Sequence, residues 1–209
     1  MSDDLPLEVH LRNPPCWRQD GATYFVTFCL RDAVPAEFIR EQEAKVQRLY
    51  RELGLPADTV VDGAESASEP LRHLHQQQAR EMAKILDEGR GAAVLGATKF
   101  RAPVAEAIAY HAEHTCEVYA YVIMPNHVHA LVRPLPRKNL DKIFEGIRSF
   151  SSRKIGNPGM EWHSGSQDTI IRDEEHFRRA ADYIRANPYE ARLRRSEYEL
   201  FEDPVRQPG

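Results

Sequence analysis

Apolar and polar positions along the chain alternate between two periods. Residues 22–31, Ala-Thr-Tyr-Phe-Val-Thr-Phe-Cys-Leu-Arg, are rich in aromatic and β-branched side chains and predict a strand. From Pro35 to about Leu53 the spacing of Ile39, Val46, Leu49, Tyr50 and Leu53 predicts a helix with one buried stripe. Residues 54–70 have the Gly, Pro, Asp and Ser content of a connector. A very polar helix is expected from Leu71 to Leu86, ended by Gly89 and Gly91. Residues 102–114 predict a further helix with Pro103 near its first turn.

The second half alternates more clearly. Glu117–Met124 and His127–Arg133 predict two strands, and Pro125-Asn126 predicts the turn of a hairpin between them. Leu140–Ile155 predicts a helix with Ile143, Ile147 and Phe150 inward. Asn157-Pro158-Gly159 predicts a turn, and Thr169-Ile170-Ile171 a short strand. Asp173–Ala186 predicts a helix with acids in its first turn, stopped by Pro188. Mixed elements with a hairpin imply an α+β fold, a small antiparallel sheet with helices packed on its faces. The 209 residues fit a single domain, 1–209, with a helical and loop insertion at about 36–95.

Bulk properties narrow the setting. A 42% hydrophobic content supports an ordinary core. No apolar run approaches the roughly 20 residues of a membrane span, so no membrane partner is expected. The acidic start, Met1-Ser2-Asp3-Asp4, lacks the apolar core of a secretory signal. Cys16, Cys29 and Cys116 form no C-x-x-C pair, which disfavours a zinc ribbon or a disulfide framework and points to the cytoplasm. The net charge of −4 argues mildly against nucleic acid. Its distribution does not. Arg133, Arg137, Lys138, Lys142, Arg148, Arg153 and Lys154 face only Asp141 and Glu145 in the same stretch. Arg178, Arg179, Arg185, Arg192, Arg194 and Arg195 follow. Such groups are either solvated helix faces or phosphate contacts.

The chemistry concentrates at Tyr121–Val132. On a strand, residues i and i+2 share a face, so His127 and His129 present two imidazoles side by side. They are either a polar strand face or a pair of ligands for a divalent metal. A second H-x-H, His73-Leu74-His75, lies in helical surroundings where i and i+2 diverge by about 200°. It reads as surface. The alternating pattern is not that of histidine-triad nucleotide hydrolases, because Leu131 and Arg133 stand where further histidines would be needed.

The string Tyr-Val-Ile-Met-Pro-Asn-His-Val-His-Ala-Leu-Val resembles the HUH motif of single-tyrosine transposases, in particular the REP-associated tyrosine transposases related to insertion-sequence transposases. The resemblance continues in Ile147-Arg148-Ser149-Phe150, in Trp162 followed by Ile171-Arg172-Asp173-Glu174-Glu175, and in Tyr183-Ile184-Arg185-Ala186-Asn187-Pro188. It spans the strand at 22–31 and residues from about 100 to 195. It departs at His163 and at Ser166-Gln167, where the family often has Gln and Tyr.

The resemblance implies a ferredoxin- or RRM-like HUH nuclease core and a single-strand DNA endonuclease and strand transferase acting on hairpin-forming repeats. It assigns Tyr183 as nucleophile and Asn187 as third ligand beside His127 and His129, with Mg²⁺ or Mn²⁺ as the cation. A tyrosine at helical spacing with Phe177, Ala180 and Ile184 also reads as core. Asn187-Pro188-Tyr189-Glu190 also reads as the cap and first turn of a following helix. Arg148, Arg153, Lys154 and Arg179 are candidate DNA contacts, and Trp162 a candidate base platform or a buried core residue. The partner would be single-stranded or hairpin DNA, bound by a monomer or a homodimer. A DNA-binding protein of the same fold without cleavage activity is the alternative. A replication-initiation or relaxase enzyme is disfavoured by the arrangement of the motifs.

Overall fold

The computed structural model describes residues 21–55, 69–157 and 160–204, without the side chains of residues 72, 75 and 76. Cys16, the expected loop at 64–68, the turn at Pro158-Gly159 and the side chain of His75 lie outside the described residues.

Five strands form one antiparallel sheet, ordered β4-β1-β3-β2-β5. They are β1 (Tyr24–Cys29), β2 (Cys116–Ile123), β3 (His127–Pro134), β4 (Gln167–Ile170) and β5 (Glu199–Glu202). Five α-helices are described: α1 (Ala36–Glu52), α2 (Glu69–Asp87), α3 (Thr98–His114), α4 (Leu140–Ile155) and α5 (Glu174–Glu190). The α+β class and the antiparallel sheet agree with the alternation in the sequence.

The register sorts the strand residues onto two faces. Tyr24, Val26 and Phe28 of β1 and Val128, Ala130 and Val132 of β3 pack with Val104 and Ile108 of α3 and Ile143, Phe144 and Ile147 of α4. On the opposite face Phe25, Val122, Met124 and Leu131 pack with Ala180 and Ile184 of α5 and Ala79 of α2. Thr27 lies opposite His129, and Cys29 opposite His127. The histidines therefore fall on the face of Phe25 and Leu131, between α2 and α5. Burying an apolar side chain on either face is worth ~1.5–3 kcal/mol. A one-residue slip of β3 would exchange both cores and move the histidines to the α3–α4 side.

Helix ends follow local chemistry. Asn139 caps α4 by accepting from Lys142 N at 3.1 Å, and Gly156 closes it at φ 59°. Asp173 caps α5 by accepting from His176 N at 2.7 Å.

Three expectations change. The helix expected at 102–114 begins at Thr98, so Pro103 lies inside it rather than in its first turn. The added turn carries the buried Arg101, which donates to the carbonyls of Leu95 and Gly96 at 2.9 Å each and of Ser196 at 3.0 Å. Helix α5 does not stop before Pro188 but runs through it to Glu190. Asn187 is thus inside α5 and is not the cap of a following helix. Asn187 and Pro188 are both buried, and that packing outweighs the lost amide donor. Finally, the short β5 was not expected. It pairs with β2, and Phe201 stacks on Tyr121 with centroids 5.3 Å apart.

Candidate active site

The turn between β2 and β3 builds the site. Met124 N donates to His127 O at 2.8 Å and closes the hairpin. Asn126 lies within this turn and is 1% exposed. Its Nδ2 donates to the carbonyls of Leu86 and Arg90, both at 3.2 Å. Carbonyls can only accept, so the amide orientation is determined and Oδ1 faces the other way. Oδ1 stands 2.7 Å from His127 Nδ1. That nitrogen must carry the proton, which leaves the lone pair of His127 on Nε2.

His129 Nδ1 lies 2.7 Å from Thr27 Oγ1. A hydroxyl can donate or accept, so Thr27 suits either tautomer of His129. The two Nε2 atoms converge to 3.0 Å. Without a cation, one Nε2–H can lie between them. Both rings are 1% exposed. Burial disfavours the charged form, pushing His127 down to about 3 and His129 well below its ordinary value. Two neutral imidazoles are the form that ligates metal.

Tyr183 projects from α5 onto the same place. Its ring meets the His129 ring edge-on with centroids 5.2 Å apart, and the Phe25 ring at 5.8 Å. Phe25 in turn stacks on His129 at 5.4 Å. The Tyr183 hydroxyl is buried and has no hydrogen-bond partner. Burial and the neighbouring Asp87 and Glu190 carboxylates raise its pKa, while the Asn187 side chain beside it lowers it. Asn187 is 2% exposed, and its Oδ1 is likewise buried without a partner. The structure thus brings His127, His129, Tyr183 and Asn187 into one region.

The donor set fits a divalent cation. Two nitrogens each ~2.1 Å from one ion, at right angles, would stand ~3.0 Å apart, the separation found. For both Nε2 atoms to ligate, His129 must hold its proton on Nδ1, and Thr27 can accept it there. Among the described residues no third His, Cys, Asp or Glu joins them in a cluster. An amide oxygen, water or a phosphate would have to complete the shell, and Asn187 Oδ1 is the orphaned acceptor nearby.

The candidate DNA contacts lie on more than one element. Arg148, Arg153 and Lys154 are on α4, the helix packed on the face away from the histidines. The charge of Arg148 acts on Cys29, the cross-strand neighbour of His127. Its Nη1 is buried without a partner. It lines an open groove with Ser149, Ser152, Met160 and Trp162. Lys154 pairs with Glu106. Arg179 of α5 lies 3.9 Å from Glu175 and is not drawn to the site. Trp162 packs on Phe28 at 5.1 Å and donates to Ser151 Oγ at 3.0 Å, which makes it part of the core. His73 is exposed on α2. Asp87 and Glu190 were not singled out from the sequence, where nothing marks a helix-terminal acid as a neighbour of residues far along the chain.

Comparison with known proteins gives two findings. Residues 97–165 match the model of the IS200-like transposase family, a segment that contains α3, the histidine hairpin and α4 but not Tyr183 or Asn187. The chain is also similar to a solved structure of a REP-associated tyrosine transposase bound to a REP hairpin. The identity there is 15% over 86% of this chain and 73% of that one, with a TM-score of 0.47. No curated protein matches. Among the described residues no helix is long and apolar enough to cross a membrane.

Proposed function

We propose that the chain is a divalent-metal-dependent single-strand DNA endonuclease and strand transferase of the IS200-like transposase type, acting on hairpin-forming repeats. The observation that carries this is the edge contact of the Tyr183 ring with the ring of His129, whose Nε2 is paired with that of His127.

Tyr183 is the nucleophile. Its Oη forms a bond to the phosphorus of a phosphodiester as the bond from phosphorus to the 3′-oxygen breaks. The phenolic proton ends on that oxygen, giving a free 3′-OH and a 5′-phosphotyrosine. One ester replaces another, so the strand can be rejoined by the reverse step without a nucleotide cofactor. His127, His129 and Asn187 hold the cation, Mg²⁺ or Mn²⁺, whose chemistry when bound is to polarise the scissile phosphate and offset developing charge. Phe25 and His129 fix the plane of the Tyr183 ring by edge contacts and so orient the attacking oxygen.

The alternative, DNA binding without cleavage, draws on a specific feature. The Tyr183 hydroxyl is covered, and the nearest acids, Asp87 and Glu190, oppose an incoming phosphate. Cleavage therefore requires this cover to shift when DNA arrives. Incubation with hairpin-flanked single-stranded DNA and Mn²⁺, followed by a denaturing gel, separates the two. A shifted protein–DNA species that disappears in Tyr183→Phe is expected. Retarded complexes on native gels with no denaturation-resistant species, across several hairpins and both metals, would establish the alternative.

A further inference from the structure

Helices α1 and α2 belong to the stretch that interrupts the strand pattern, and the function proposed above gives them no role. The last turn of α2 and the residues just after it nevertheless touch both amides of the site. Leu86 O and Arg90 O take the Nδ2 protons of Asn126, each at 3.2 Å. The carboxyl of Asp87, between them in sequence, is a neighbour of the Asn187 side chain, whose oxygen is buried without a partner.

The two amides share one neighbour, the end of α2. Asn126 gives its nitrogen to the Leu86–Arg90 turn and its oxygen to His127. Asn126 Oδ1 fixes His127 as the tautomer with its lone pair on Nε2. Asn187 Oδ1 remains free as a hard oxygen ligand. We infer that the Leu86–Arg90 turn is the positioning element of the metal centre, with Asn126 and Asp87 as positioning residues that orient His127 and Asn187. The inference rests on the metal site of the proposed function and adds to it the purpose of the α1–α2 insertion.

The turn is itself held firmly. Gln42 of α1 and Gln78 of α2 are each 1% exposed, and Gln78 Nε2 donates to Gln42 O at 3.1 Å. Gln42 Nε2 donates to Glu81 at 2.7 Å. These contacts tie α2 to α1 away from the site, while Leu86 is buried in the main core.

The test is Mn²⁺ affinity, read from the EPR signal of free Mn²⁺, on the full chain. Five proteins are compared: wild type, the double variant His127→Ala/His129→Ala, Asn126→Ala, Asp87→Ala and Asp87→Asn. Urea midpoints confirm that each is folded. Loss of an outer-sphere partner of a metal ligand typically weakens binding ~10–100-fold. That loss is expected for Asn126→Ala and Asp87→Ala. Asp87→Asn keeps an oxygen that can accept from Asn187, so it should stay within about 3-fold of wild type on the same scale. Wild-type affinity in both alanine variants would overturn the inference. Equal weakening in Asp87→Ala and Asp87→Asn would show that Asp87 acts through charge and overturn its positioning role. Wild-type protein that binds no Mn²⁺, or binds it as the double-alanine variant does, is a failure of the metal site itself. A metal-independent readout then decides the Asn126 part. Two-bond ¹H–¹⁵N NMR should show His127 protonated on Nδ1 in wild type, with that preference lost in Asn126→Ala. An unchanged tautomer would refute it.

Discussion

Replacing Tyr183 with Phe should make the metal-free protein more stable while abolishing covalent chemistry. The ring contacts with His129 at 5.2 Å and Phe25 at 5.8 Å need no hydroxyl and survive the change. What is removed is a buried Oη without a hydrogen-bond partner. A hydroxyl kept from water with nothing in exchange costs ~1–3 kcal/mol. Part of that gain is offset by the small void left behind. A net stabilisation of about 1 kcal/mol remains, or roughly 2–4 °C in Tm for a chain of this size. An ordinary core tyrosine gives the opposite sign, because its bonded hydroxyl contributes ~1 kcal/mol that phenylalanine loses. Urea unfolding of both proteins in EDTA at pH 7.5 measures the difference. A Tyr183→Phe protein less stable than wild type by ~1 kcal/mol would mean that the hydroxyl is satisfied in solution. It would then be a structural group, and the argument from its orphaned state would be wrong.

Acidification should expose the buried histidines. Unfolded, both rings titrate near 6.5, while in the fold His127 is held down to about 3 and His129 well below its ordinary value. Below the unfolded pKa the unfolded chain binds more protons, so stability falls with pH there by up to ~1.4 kcal/mol per unit for each ring. Metal-free urea titrations from pH 7 to 5 should show a steeper loss in wild type than in His127→Gln/His129→Gln, and parallel curves would contradict the burial. Arg148→Ala should weaken single-strand binding and reduce the slope of log K against log salt by about 0.7, as expected for one lost phosphate contact; an unchanged slope in fluorescence anisotropy would remove Arg148 from the interface. Arg101→Ala strips partners from the carbonyls of Leu95, Gly96 and Ser196 and should cost ~3 kcal/mol or more in urea unfolding. A loss under ~1 kcal/mol would show that water replaces the guanidinium.

The parts legible in the sequence are those whose physics is local. Alternation marks β2 and β3, and period two places His127 and His129 on one face. The i, i+4 spacing put Tyr183 and Asn187 on one side of a helix, provided the helix continued. It did continue, through a proline that the local rule treats as a stop, because the packing of buried Asn187 and Pro188 overrides that rule. The short β5 carried no comparable signal: four partly exposed residues hold their place by pairing with β2. The role of the α2 turn was invisible for a different reason. Asn126 meets Leu86 across 40 residues of sequence, and no periodicity encodes such a contact. The placement of the basic residues of α4 was not legible either, since charge clustering along the chain does not say which face of the sheet the helix covers.

The central claim is that Tyr183, and no other tyrosine, receives the cleaved strand across the His127–His129 pair. Peptide mass spectrometry after reaction with hairpin-flanked single-stranded DNA and Mn²⁺ tests it most directly. A nucleotide-bearing phosphotyrosine on the peptide containing Tyr183, absent when EDTA replaces the metal, is the predicted result. The modification on Tyr189 or Tyr198 instead, or an adduct that forms equally well in EDTA, would contradict it.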